Sequence, residues 1–73
     1  MNTSLYRFYD ANNVLLYVGI TNSLRHRLTQ HEADKHWWTA VSSASIKHYP
    51  TRKEAEDAER AAIRAELPVW NIA

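Results

Sequence analysis

Five side chains capable of chemistry fall where apolar residues would be expected or beside them. At about 100° per residue, AEDAERAAIRAELP (residues 55–68) places Ala55, Ala58, Ala62 and Ile63 on one helix face, with Glu59 inside that stripe. The helical stretch LRHRLTQHEA repeats the anomaly, because Arg27 and His31 share a stripe with Leu24 and Leu28. Two strand-like stretches, SLYRFY (residues 4–9) and VLLYVGI (residues 14–20), contribute the phenols of Tyr6 and Tyr17. Burying a charge is costly unless it is paired or hydrogen-bonded. Two arrangements meet that requirement. In one, the groups satisfy one another, with an Arg27–Glu59 salt bridge inside a small core. In the other, they line a cleft where a ligand and a metal ion do so.

Other chemistries find less support. With no cysteine, the chain has no disulfide, no thiolate zinc site and no cysteine nucleophile. His26, His36 and His48 do not fall at zinc-ligand spacing with His31, and there is no H-E-x-x-H. A phosphate loop rich in glycine is absent, and Ser42 and Ser43 lack a His and Asp context. Nine Lys and Arg against eight Asp and Glu leave a net charge of +1, too little to hold a polyanion by charge alone. A nucleic-acid partner would then require basic groups gathered on one surface, or a further domain or subunit supplying affinity. The longest apolar run, Val14 to Ile20, is too short to span a bilayer or act as a signal sequence, so a soluble, cytoplasmic protein is expected.

The elements that must position these groups follow from pattern and punctuation. A chain of 73 residues, 45% hydrophobic, suits a single domain over residues 1–73 with one modest core. DANN (residues 10–13) reads as a turn between the first two strands. A four-residue loop there sets Tyr9 opposite Val14 and Tyr6 opposite Tyr17, with both phenols on one face. Thr21, Asn22 and Ser23 all suit the N-cap of the helix that follows. KHWWTAVSS (residues 35–43) forms a short helix or turn, with Trp37 and Trp38 over the core. ASIKHY (residues 44–49) is a third strand, with Ile46 inward in one phase and Tyr49 in the other. Pro50 ends it, and Thr51 with Glu54 makes a capping box for a last helix that stops before Pro68. The expected fold is α+β, a small three-stranded antiparallel sheet flanked by helices in the order β-β-α-(short α)-β-α.

With these residues in order, the chain resembles the GIY-YIG nucleases. The second signature tripeptide stands as YVG, Tyr17 to Gly19, and the first as SLY, Ser4 to Tyr6, with Ser4 replacing the usual glycine. The family's helix arginine matches Arg27 in LRHRL, and the histidine one turn later matches His31. EAEDAERAAIRAELPVWNI matches the closing segment, setting Glu59 at the metal ligand and Asn71 at the terminal polar position. The likeness runs from Leu5 to Ile72. It implies an endonuclease that hydrolyses DNA phosphodiesters with one divalent cation, Mg²⁺ or Mn²⁺, held by Glu59. It further implies that Arg27 stabilises phosphate charge, that Tyr6 or Tyr17 with His31 activates water, and that Asn71 fixes the phosphate or another site residue. DNA is the implied partner, with RNA open, and a dimer or larger complex is expected to supply affinity. The alternative is a catalytically silent nucleic-acid-binding or protein-interaction module on the same fold.

Overall fold

A computed structural model describes residues 2–71; Met1, Ile72 and Ala73, included in the expected domain and at the end of the resemblance, lie outside the described residues. Three strands, β1 (Thr3–Tyr9), β2 (Leu15–Thr21) and β3 (Ser43–Tyr49), form one antiparallel sheet in the order β2-β1-β3. Helix α1 (Leu24–Asp34) and a 3-10 turn (His36–Ala40) connect β2 to β3, and α2 (Arg52–Glu66) follows β3. The α+β architecture and its element order agree with the sequence expectation.

Alternation along β1 feeds two apolar layers, one on each side of the sheet. Leu5, Val18 and Ile20 meet Ala55 and Ala62 of α2, with Ala58 and Ile63 beside them. Small alanines let the helix axis approach the sheet closely, which explains a stripe made mostly of Ala. On the other face, Tyr6, Phe8 and Trp37 form an aromatic layer joined by Tyr17, Leu24, Leu28, Trp38 and Trp70. Thr51 starts α2 by accepting a hydrogen bond from the Glu54 N–H at 3.2 Å, the half of the capping box in which the threonine oxygen accepts.

The hairpin register differs from expectation. Tyr6 lies opposite Gly19, and it is Phe8 that faces Tyr17; Tyr9 faces Leu15, with an irregularity between Phe8 and Tyr9. Two local features cause the shift. The loop is the three residues Ala11 to Asn13, closed by Asn13 N–H to Asp10 O at 3.0 Å, with Asn13 at φ 62. Asp10 Oδ1 also accepts the Asn12 and Val14 N–H groups. A bulge at Leu16 then moves the pairing by one more residue and turns Leu15 to the α2 side, although Tyr17 faces the aromatic layer. The two phenols still share a face.

Ile46 is a second correction. It shares the Tyr6 side of the sheet but stays 40% exposed, because β3 is an edge strand and the aromatic cover lies over β1 and β2. Tyr49 packs in its own phase against the α2 layer.

Candidate active site

Both tyrosines project from the sheet into the aromatic layer, and their surroundings differ. Tyr6 is fully buried, and its ring lies across its cross-strand partner Gly19. A Cβ on that glycine would stand 2.4 Å from both the Cζ and Oη atoms of Tyr6. A mid-strand glycine marks such a close backbone approach. Gly19 is the one glycine of the chain, and that singularity was the available signal for its role. Tyr17 is only partly buried. Its ring stacks on Trp37 at 5.2 Å and 27°, and His31 meets it edge-on at 5.1 Å.

His31 occupies the inner face of α1, 3% exposed, with Nε2 at 2.8 Å from Tyr6 Oη. Its Nδ1 is buried without a hydrogen-bond partner among the described residues. Burial lowers the His31 pKa, as do the cations Arg27 and Lys35, against a smaller opposing effect of Asp34. Near neutral pH the ring is therefore neutral, and it can exchange one proton with the phenol.

The phenols are held protonated. Burial raises the Tyr6 pKa well above the ordinary phenol range, and Tyr17 and Glu59 add to the rise. Arg27 opposes it by charge and by approaching the phenol, without forming a hydrogen bond of good geometry. Tyr17 is raised by burial and then by Glu59, again with Arg27 opposing.

Glu59 comes from α2, on the opposite side of the sheet, yet its charge reaches both phenols. Half-burial raises its own pKa, with Arg52, Arg27 and Arg60 opposing and Glu56 adding to the rise. Among the described residues Glu59 and Arg27 form no ion pair with each other or with anything else. The salt bridge that would make them a closed structural unit is not formed. Among the described residues no pocket forms at these side chains, in place of the cleft that five inward groups suggest.

Asn71 is bound to the backbone of β2. Its Oδ1 accepts the Val18 N–H at 2.7 Å and its Nδ2 donates to Val18 O at 2.9 Å. Both ends of the amide are thereby occupied by the backbone between Tyr17 and Gly19. It pins the strand carrying the second tripeptide. Ser4, at the position of the family glycine, hydrogen-bonds through Oγ to His48 Nδ1 at 2.8 Å across to β3.

The chain matches the GIY-YIG catalytic domain over residues 2–72, and it belongs to that family. Membership implies nuclease-type activity in general and DNA as the general class of partner. No curated protein and no solved structure matches the chain significantly. No helix among the described residues is long and apolar enough to cross a membrane.

Proposed function

We propose that this domain is a metal-dependent endonuclease that hydrolyses DNA phosphodiester bonds. One observation carries the reading: a half-buried carboxylate and a half-buried guanidinium both act electrostatically on two phenols, and among the described residues neither has an ion-pair partner. Opposite charges withheld from each other are available to a cation and to a phosphate.

Glu59 fits as the holder of Mg²⁺ or Mn²⁺. Among the described residues its carboxylate has no ion-pair partner, and burial makes its charge unfavourable. No cluster of three or more His, Asp or Glu ligands exists among the described residues. A lone carboxylate suits Mg²⁺, which keeps several waters and takes substrate phosphate oxygens to complete its shell. When bound, the cation supplies charge stabilisation for the phosphate and for the leaving 3′-oxygen. Arg27 presents its planar fork of donors to the phosphate oxygens as negative charge develops. Tyr17, the phenol that solvent reaches, would contact the nucleophilic water and, once Arg27 and the bound cation have lowered its pKa enough for it to release its own proton to solvent, would accept the proton of that water. Tyr6 and His31, linked at 2.8 Å, orient the aromatic layer around it and provide a proton relay. Asn71 holds the β2 backbone between Tyr17 and Gly19 in place. With a net charge of +1, DNA affinity comes from a dimer, a larger complex or a further domain, and the expected compartment is the cytoplasm.

The test is plasmid nicking with Mg²⁺ or Mn²⁺, repeated with Glu59→Gln. The variant should lose metal-dependent nicking while its thermal midpoint at pH 7, without metal, rises. The sign follows from linkage: a raised carboxylate pKa contributes stability in acid that is lost as pH rises, so removing the charge helps at neutral pH. Nicking that persists in the variant defeats the metal role of Glu59. A strong loss of stability instead supports the silent, structural alternative, in which one buried charge leaves another stranded.

A further inference from the structure

Trp37 has no place in the chemistry above, yet it is the residue that most constrains the ring of Tyr17. We infer that Trp37 is a positioning residue, an indole shelf that fixes the Tyr17 phenol in its reactive orientation. This rests on the reading of Tyr17 as the phenol that contacts water.

Tyr17 sits on β2, at one edge of the sheet, and is only partly buried, so its backbone alone does not immobilise its ring. A phenol oxygen lies far from its Cα, and a modest side-chain rotation carries it by an ångström or more. Misplacement on that scale costs on the order of a hundredfold in rate for a group that must meet a reacting water. Four rings oppose such rotation. Tyr6 and His31 stand steeply to Tyr17, at 86° and 67°, and do not stack on it. Phe8 is nearly parallel at 24°, but its centroid is 6.4 Å away. Trp37 is nearly parallel at 27° and closer, at 5.2 Å. The indole is the principal plane against which Tyr17 lies.

The same indole reaches the relay. Trp37 lies 5.6 Å from His31 and 6.1 Å from Phe8, so it spans Tyr17, the imidazole bonded to Tyr6, and the central strand. It is itself 6% exposed. The 3-10 turn His36–Ala40 presents it, closed by Trp38 N–H to Lys35 O at 3.1 Å and Val41 N–H to Trp38 O at 3.0 Å. Adjacent Trp38 makes a different contact, edge-on to Phe8 at 5.4 Å and 85°. Of two neighbouring tryptophans in one short turn, one stacks on the site phenol and the other packs the layer behind it.

Three forms test the shelf: the native protein, Trp37→Phe and Trp37→Leu, each checked for folding by its thermal midpoint. Phe keeps a flat ring, whereas Leu keeps apolar bulk without one. In nicking at saturating Mn²⁺, Trp37→Leu should lower kcat by about tenfold to a hundredfold with KM for plasmid unchanged, and Trp37→Phe should recover most of the loss. A Leu variant with native kcat, or a Phe variant as slow as the Leu variant, overturns the inference. Proton NMR of the Tyr17 ring gives a second reading that needs no activity. In the native protein its resonances should be displaced upfield by the indole ring current, and in a folded Trp37→Leu they should return toward ordinary tyrosine values. Ordinary values in the native protein overturn the shelf, even if the Leu variant does not fold. Failure of the nuclease reading shows itself separately, as a native protein that nicks nothing while the Tyr17 shift is present.

Discussion

Gly19 and Tyr6 behave as one unit, because the tyrosine ring occupies the space a side chain at 19 would fill. The ring has nowhere to retreat, being fully buried and hydrogen-bonded to His31 Nε2. Gly19→Ala should cost about 1–3 kcal/mol of stability, the usual penalty for forcing bulk into a packed site. It should also slow nicking by about a hundredfold, since the phenol must shift by more than an ångström from His31. Urea unfolding and a nicking assay on the same variant check both effects; native stability would show that the ring moves freely. The residue scale also explains why Glu59 interrupts an alanine stripe. Ala55 and Ala62 lie flat on the sheet, while Glu59 sits at the margin of that contact, where its charge is felt on both sides.

At the scale of elements, the segment after α2 closes the outer edge of β2. Val69 N–H donates to Leu15 O at 3.3 Å and Trp70 N–H to Leu16 O at 2.9 Å. Asn71 continues the row with its side-chain amide on both backbone groups of Val18. An open strand edge would fray and invite pairing with another chain. Here the edge is shut as far as Val18, and the backbone carrying Tyr17 and Gly19 is held at its midpoint. Asn71→Ala removes two hydrogen bonds from a part-buried strand and should destabilise by about 1–3 kcal/mol. Amide exchange at Val18 should accelerate more than exchange at Leu5 on the central strand. Equal acceleration at both would mean that the clamp acts globally. At the other end of the contact, Arg7 grips Glu66 with two bonds of 3.0 and 2.8 Å, tying β1 to the last turn of α2. Its exposure limits that pair to at most about 1 kcal/mol.

Across the whole molecule, the buried titratable groups set opposite limits on stability. His31 has a lowered pKa, so the unfolded chain binds its proton more readily; its contribution is complete above about pH 6.5 and is lost as pH falls. Tyr6 has a raised pKa, so its contribution is complete below about pH 10 and is lost as pH rises beyond it. Melting curves of the native protein and of Tyr6→Phe across pH 8 to about 11 isolate the second limit. The stability of the native form relative to the variant should decrease above about pH 10. A constant or growing difference would mean that the phenol ionises as readily folded as unfolded.

The order of elements was legible in the chain because local rules state it. Strand-forming residues mark β1 and β2, Thr51 opens α2, and Pro68 follows its end. Arg27, His31 and Glu59 stood out as polar groups breaking apolar stripes, whereas Asn71 was singled out only by the family resemblance. Register was not, because the Asn13 turn and the bulge at Leu16 each move pairing by one residue, and neither leaves a periodic signature. Nor could periodicity show that the helix carrying Glu59 packs on the opposite side of the sheet from Tyr6 and Tyr17, or that Asn71 spends its amide on Val18. Sequence determined which groups were available and on which stripe each lay. Tertiary structure decided which of them meet, because distance across a sheet depends on register and strand order, and those are set by the packing of the whole chain.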